Sequence, residues 1–410
     1  MSGPSPEVMA ALFDPMSPAF RADPYPLYAR LREVTPATAT PLGSVMVTRH
    51  DPVDRVLRSS GYRSPRGYRE ADDPAGPSRF DPAGALIRHR RHQILFQSGE
   101  THARLRRLIT KVFTPRAVRE LAPRVEAIVD QLLAPALERG AMEVIDDLAF
   151  PLPSTVICEL LGVPRADVDR NRAWASATAP TLDPVSSPEQ LATAERAMIE
   201  WDDYMHAFVA DRRAHPGSAL IDAMLAVEDE GSQLSEDEVV ANATFLFAAG
   251  HETTTNLIGN GLLALLRHPE QLALLQRDPS GIENAIEELL RYDSPVQFAA
   301  RVALESTAIE GAAVEPGVVV MLALGSANRD PRRYDRPDEL DVRRADVKPL
   351  SFGGGPHYCI GAALARLEGR IALSGLLSRA RSIELAGDRI AWRPTLTLRG
   401  LERLDLALSV

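Results

Sequence analysis

The sequence predicts a mainly helical protein with several short strands, folded as one domain over residues 1–410. Three observations predict it. A capping-box sequence, Ser235-Glu236-Asp237-Glu238, opens an apolar stretch that runs to about His268, where Pro269 ends or redirects it. A helix of that reach, roughly 30 residues, far exceeds the average of about 11–12. From residue 101 to about 170 helical periodicity dominates, broken by Pro115, Pro151, Pro153 and Pro164. Strand-like runs are few and short, and no Gly/Ser linker, low-complexity tract or repeat divides the chain.

The elements follow in order. Pro26 to Leu31 reads as helix and Ser44 to Thr48 as strand. Residues 61 to about 93 are rich in Pro, Gly and charge, which predicts a long loop of the kind that covers functional sites. Residues 178–188 read as a second loop between helices. Residues 280–293 are amphipathic and helical, and residues 317–324, Gly-Val-Val-Val-Met-Leu-Ala-Leu, form a buried strand. A charged, irregular stretch over 326–348 leads into Ser351-Phe352-Gly353-Gly354-Gly355-Pro356-His357-Tyr358-Cys359, and a helix follows. The tail, with Leu396-Thr397-Leu398 and residues 404–410, is strand-like.

Composition narrows the function. The chain of 410 residues is 45% hydrophobic and 25% charged, enough for a large core. A formal net charge of −10 argues against a general nucleic-acid binder. Basic residues are still locally concentrated, at Arg88-His89-Arg90-Arg91-His92 and at Arg104, Arg106, Arg107, Lys111, Arg116 and Arg119. With only Cys158 and Cys359, no disulfide framework or zinc cluster can be built. Cys158, within Val156-Ile157-Cys158-Glu159-Leu160-Leu161, reads as a buried structural thiol. The first residues have neither a basic nor an apolar leader region, and no run is apolar enough to span a bilayer. A reducing, cytoplasmic setting without membrane contact is expected.

Four constellations carry chemistry. Cys359 arrives through a glycine-rich loop at what reads as the first turn of a helix, where the helix terminus favours a thiolate. Such a sulfur can be a metal ligand or a nucleophile. In the long helix, Ala248-Ala249-Gly250-His251-Glu252-Thr253-Thr254-Thr255 follows Phe245-Leu246-Phe247. These are poor mid-helix residues with apolar flanks, so an acid and a hydroxyl are expected side by side in a buried helix, as a proton relay requires. His102 and Arg106 are four apart on one helix face and together could hold a carboxylate, although a solvated basic face is the commoner explanation. Glu288 and Arg291, three apart, read as a surface pair contributing well under about 1 kcal/mol.

Taken together, these residues resemble a bacterial cytochrome P450 of the soluble, ferredoxin-dependent class, over essentially the whole chain. Phe352, Gly353, Gly355, Cys359, Gly361 and Ala365 match the family's haem-binding signature. Ala249-Gly250-His251-Glu252-Thr253-Thr254 matches its oxygen-activation motif, and Glu288-x-x-Arg291 its buried acid–arginine pair. Ala327-Asn328-Arg329-Asp330-Pro331 is typical of bacterial members. The resemblance implies the P450 fold, a triangular prism with haem between the central long helix and the cysteine-loop helix. It implies haem b as cofactor, O2, and electrons from NAD(P)H through a ferredoxin reductase and a ferredoxin.

The resemblance also assigns roles. Cys359 would be the thiolate ligand of the iron, in a cofactor-binding loop with Phe352 and Gly361. Glu252 and Thr253 would steer protons to the dioxygen, with Gly250 leaving room for it. His102, Arg106 and Arg301 would bind the haem propionates, with His357 near the same edge. Glu288 and Arg291 would be structural and buried, reversing the surface reading. Where many members complete that pair with an arginine in a Pro-x-Arg-Phe sequence, this chain reads Pro337-Asp338-Glu339-Leu340, leaving Arg336, Arg343 or Arg344 as substitutes.

The implied reaction is hydroxylation or epoxidation of a small organic molecule in secondary metabolism, by a monomer. By analogy the pocket holds Ile87, Leu95, Leu182, Ala248, Ala249, Val296, Phe298 and Leu396, with Gln297 as a hydrogen-bonding handle. An acidic ferredoxin would dock on the basic helix at Arg104 or Arg107. The alternatives are a peroxide-driven member, against which the Glu252-Thr253 relay argues, and an oxidase-type member that couples bonds without inserting oxygen.

Overall fold

Caps and prolines set the helix boundaries. In the computed structural model the described residues are Asp14, 17–40, 43–65, 84–387 and 389–409. The elements that position the site are, in order, α1 (Tyr25–Val34), β1 (Ala37–Ala39), β2 (Val45–Val47), α2 (His50–Arg58), β3 (Tyr62–Arg63), α3 (Ala85–Arg90), α4 (Gly99–Val112), β4 (Ala141–Glu143), α5 (Pro188–Ala214), α6 (Glu236–Leu266), α7 (Ile282–Tyr292), β5 (Phe298–Ala303), β6 (Val319–Ala323), α8 (Ala362–Arg379), β7 (Ser382–Leu385), β8 (Ala391–Trp392), β9 (Leu401–Arg403) and β10 (Asp405–Ser409). The chain forms two compact units. One comprises Met1–Arg63, Arg124–Pro151 and Thr253–Val410, the other Ser64–Pro123 and Leu152–Glu252.

The first unit is organised by a five-stranded sheet in the order β1-β2-β6-β5-β3. Its central strand β6 runs parallel to β2, pairing Val320 with Val45 and Leu322 with Val47, and antiparallel to β5, pairing Val320 with Arg301. The Val-Val-Met-Leu run suits a strand covered on both faces. Val45, Val47, Val53, Val56, Leu57, Val320, Leu322 and Leu350 are all buried in one cluster, which seats α2 on the sheet. The same unit holds a second sheet, β7-β10-β4, the β8-β9 pair and a hairpin of Thr307–Ile309 with Ala312–Val314. At Gly369 an added Cβ would lie 3.0 Å from Leu257 Cδ2 and 3.3 Å from Ile286 Cδ1, so α8 packs tightly against α7 and the C-terminal half of α6.

The Glu288–Arg291 pair is fully buried, as the resemblance implies and as periodicity alone does not. Arg291 donates from Nε to Glu288 Oε2 at 2.7 Å and from Nη2 to Oε1 at 2.8 Å. Its remaining donors reach the carbonyls of Asn328, Pro337 and Glu339 at 3.1, 2.6 and 3.0 Å. The arginine that completes the network is Arg344, whose Nε donates to Glu288 Oε1 at 3.2 Å. Arg336 turns outward and pairs with Glu339 and Asp335. Asn328 carries the order onward: it donates to Ser294 Oγ and Ser351 Oγ at 2.7 and 2.9 Å and accepts from Leu350 N at 2.7 Å. The irregular stretch is therefore fastened to the root of the cysteine loop.

In the second unit the capping box at Ser235 forms as expected: Glu238 N donates to Ser235 Oγ at 3.2 Å and Ser235 N to Glu238 Oε2 at 2.9 Å. A matching box, Ser187 with Gln190, opens the 27-residue α5. Trp201 anchors α5 in the core, donating from Nε1 to Asn171 Oδ1 at 2.8 Å and lying edge-on to Phe247 of α6. The expected loop over 61–93 instead contains β3 and α3, and residues 66–83 lie outside the described residues. The expected loop over 178–188 contains a 3-10 turn, Ala179–Leu182, because Thr181 Oγ1 donates back to Thr178 O at 2.7 Å.

Cys158 is buried on the helix Pro151–Leu161, and burial pushes its thiol up to about 12. In apoprotein treated with iodoacetamide near pH 8, Cys359 is expected to alkylate while Cys158 stays unmodified until the chain is unfolded. Peptide mass mapping checks this, and early labelling of Cys158 would contradict its burial.

Candidate functional site

The cysteine loop is shaped by two glycines. Gly353 and Gly355 adopt φ of 68° and 64°, in the region that side chains disfavour. A Cβ on Gly355 would lie 2.5 Å from Leu57 O and 2.8 Å from Arg58 Cα, so the loop backbone rests directly on the end of α2. Cys359 N donates to Phe352 O at 3.0 Å and Tyr358 N to Gly355 O at 3.1 Å, which closes the loop on itself. These bonds correct one expectation. Cys359 is not in the first turn of α8; it precedes the helix, Gly361 takes the cap position, and Ala362 N reaches Cys359 O at 3.5 Å. The thiol is exposed, at the positive end of α8. A Cβ on Gly361 would sit 3.9 Å from Cys359 Sγ, so glycine keeps that flank of the sulfur clear.

Arg301 lies in the middle of β5 and is 7% exposed. Its Nη1 donates to Ala300 O at 2.8 Å, and among the described residues no carboxylate lies within ion-pair distance. Burial lowers its pKa to about 10. A buried guanidinium without an anion is costly, and it suits a carboxylate brought by a ligand. An accessible thiolate donor with a clear flank and a guanidinium in need of a carboxylate fit haem, an iron centre edged by two propionates.

The second unit carries the other expected cofactor and relay residues. His102 is buried and Arg106 half-buried, one turn apart on α4. On α6, Ala248, Ala249 and Gly250 are half-buried and Glu252 is buried, and the helix continues unbroken into the first unit through the half-buried Thr253. A Cβ on Gly250 would meet Ile157 no closer than 3.8 Å, so space rather than collision is what this glycine leaves. Thr255 Oγ1 donates to Ala149 O at 2.9 Å, so this threonine ties α6 to a neighbouring segment. Ile87, Leu95 and Leu182 are half-buried.

In the first unit the structure joins two pocket segments. Val296 bridges to Leu398, and Gln297 N donates to Thr397 O at 2.8 Å, which brings residues 296–298 beside Leu396. Gln297 and Leu396 share a recess with Phe20, Tyr28, Trp392 and Arg393. The expectation that Gln297 offers a hydrogen-bonding handle fails. Its Oε1 accepts from Tyr28 Oη at 3.1 Å, and its Nε2 donates to Ser294 O at 2.8 Å and Tyr25 Oη at 3.4 Å. Gly325 presses on it from the other side, where a Cβ would lie 2.3 Å from Gln297 Oε1. Phe298 packs edge-on against Tyr28.

The basic face of α4 is also not what its sequence promises. Arg104 pairs with Glu238, Arg107 with Asp229 at 2.9 Å, and Lys111 with Asp229. The acids come from the short strand Glu228–Asp229 and from the start of α6, elements too distant in sequence to be read as partners. Arg104 and Arg107 therefore form no uncompensated docking surface.

Glu368 of α8 is a residue that sequence reasoning missed, since an acid in an amphipathic helix is normally solvated. It is 1% exposed, and burial raises its pKa to about 8, against the opposing hydrogen bond with Thr254. A folded-state pKa above the unfolded value means its contribution to stability is intact below about 4.5 and is lost as pH rises through about 8. Stability is expected to fall by up to about 1.4 kcal/mol per pH unit across that window, and Glu368→Gln to flatten the slope. Urea midpoints of both proteins at pH 5 and pH 8 test this; parallel pH profiles would contradict it.

Among the described residues no helix is long and apolar enough to cross a membrane. A family model described as Cytochrome P450 matches residues 69–279 and 282–387. Cytochrome P450 107B1 of Saccharopolyspora erythraea is 40% identical over 401 residues, covering 95% of this chain and 96% of the relative. The cytochrome P450 monooxygenase PikC of Streptomyces venezuelae is 39% identical over 397 residues, covering 94% and 91%. The crystal structure of P450BioI in complex with hexadec-9Z-enoic acid ligated acyl carrier protein superposes with a TM-score of 0.89 at 36% identity, covering 95% of this chain and 99% of that one. A glycine-shaped cysteine loop, a buried acid–arginine network and this full-length similarity have one common explanation: the chain belongs to the cytochrome P450 family.

Proposed function

We propose that the protein inserts one oxygen atom of O2 into a small secondary metabolite, with Cys359 as the thiolate ligand of haem iron. As a P450 it is an oxidoreductase of the monooxygenase type, working with haem b and with electrons that redox partners bring from NAD(P)H. The observation that carries the assignment of Cys359 is its loop, which turns an accessible thiol outward beside the clear flank at Gly361. Relatives named for polyketide biosynthesis and for vitamin D3 25-hydroxylation support the substrate class. Haem, when bound, supplies dioxygen activation, which takes up two electrons and two protons, puts one oxygen atom into the substrate and releases the other as water.

The chain's own residues do the rest. Arg301, His102 and Arg106 hold the propionate carboxylates, and His357 adds to that edge. Glu252 holds a proton at its buried carboxyl, and the Thr253 hydroxyl passes it toward the dioxygen. Ala248, Ala249, Val296, Phe298 and Leu396, with Ile87, Leu95 and Leu182, present apolar surface to the substrate. A ferredoxin supplies the electrons, the whole chain acts as one domain, and the enzyme works as a cytoplasmic monomer.

The reduced protein with carbon monoxide is expected to show the red-shifted Soret band of thiolate ligation, and labelled O2 to leave one labelled atom in the product. A product without label would favour the oxidase-type reading. Thr253→Ala is expected to divert most NAD(P)H electrons to hydrogen peroxide while keeping haem content. Unchanged coupling of NAD(P)H to product would remove the relay assignment, and undiminished peroxide-supported turnover in the native enzyme would favour the peroxide-driven alternative.

A further inference from the structure

Arg366 of α8 touches both ends of the cysteine loop through one guanidinium. Its Nε and Nη2 take the two carboxylate oxygens of Glu287 on α7, the second at 3.0 Å. Its Nη1 donates to Tyr358 Oη at 3.1 Å. Its guanidinium carbon lies 4.4 Å from the centroid of the Phe352 ring, and the Phe352 and Tyr358 rings meet edge-on at 6.3 Å. Phe352 is the residue whose carbonyl receives Cys359 N, and Tyr358 is the residue directly before Cys359. The two side chains of the ion pair are half-buried, at 35% and 22% exposure, so solvent screens part of the attraction. The fork geometry restores some of that strength and fixes direction as well, which a lysine could not do.

We propose that Glu287 and Arg366 form a clamp on Tyr358 and Phe352 that positions Cys359. The inference rests on Cys359 being the iron ligand. Glu287 orients the guanidinium, the guanidinium holds the Tyr358 hydroxyl, and the fixed tyrosine fixes the peptide that leads to Cys359. Glu287, Arg366 and Tyr358 are positioning residues, acting through the loop and not on substrate.

The test uses the haem-loaded full chain and the variants Tyr358→Phe, Glu287→Gln and Arg366→Lys. The reduced carbon monoxide complex is followed at one neutral pH, reading the rate at which the thiolate-type Soret band is lost. Each variant is expected to convert about five times faster than the native enzyme, the effect of losing one hydrogen bond. The double variant Tyr358→Phe/Glu287→Gln is expected to convert no faster than the worse single one, because both act through Arg366. Tyr358→Phe removes only a hydroxyl from an exposed side chain, so it keeps the test open if Glu287→Gln does not fold. Equal rates in Tyr358→Phe and the native enzyme would overturn the clamp. A lower melting temperature with an unmoved rate of band loss would also overturn it, leaving a merely structural contact. If the native enzyme itself shows no thiolate band, the assignment of Cys359 fails, and the clamp with it.

Discussion

Cys359→Ala is expected to give a folded protein with no detectable turnover and no thiolate-type Soret band. The Cys359 side chain is exposed, so stability should stay within about 0.5 kcal/mol, as for most surface substitutions. No second sulfur can take over. Cys158 is the other cysteine, it is buried, and its burial holds it in the thiol form. Without thiolate donation the driving force for O–O cleavage is gone. Carbon monoxide difference spectra, product assays and far-UV circular dichroism on one preparation decide the matter. Persistent oxygen insertion by this variant would end the reading of Cys359 as the ligand.

Glu288→Ala has the second largest expected effect, and it acts on folding. The Glu288 carboxylate accepts two bonds from Arg291, one from Arg344 and one from Asp341 N at 3.0 Å. Removing it leaves the guanidinium of Arg291 fully buried with no countercharge, which costs about 3–5 kcal/mol. Against a typical stability of about 5–15 kcal/mol, that is enough to prevent accumulation of holoprotein at growth temperature. Arg344→Ala removes one partner and should cost about 1–3 kcal/mol. Urea denaturation of the purified variants orders them. A Glu288→Ala protein as stable as Arg344→Ala would mean that the stretch around Asn328 is held chiefly by its own backbone bonds.

What the sequence showed of this protein depended on range. Features encoded within a few residues were legible: the capping box at Ser235, the valine-rich β6, and the turn-forming glycines before Cys359. Features that depend on a distant partner were not. The cations of α4 read as a patch because Glu238 and Asp229, which neutralise Arg104, Arg107 and Lys111, are more than a hundred residues away. Arg344 was one of three candidates because the choice rests on the path of the backbone from Asn328 to Leu350. Gln297 looked available because nothing nearby in sequence reveals that Tyr28 and Ser294 would claim its amide. The clamp residues hid for a related reason: an arginine at the start of α8 and a glutamate on α7 each look like ordinary solvated helix charges.

The seat of Gly355 on Leu57, together with the parallel pairing of β2 and β6, joins the two ends of the chain. Synthesis at about 5–20 residues per second separates the emergence of Leu57 and Gly355 by tens of seconds. During that interval the strand Val45–Val47 lacks its parallel partner, and an unpaired valine-rich edge invites association with other chains. The loop that carries Cys359 has nothing to rest on until that long-range closure is made, and such closures are slow. Maturation of this enzyme therefore waits on a closure that comes late in synthesis. Its yield on expression should respond more to chaperone supply and slowed growth than to how early haem is provided.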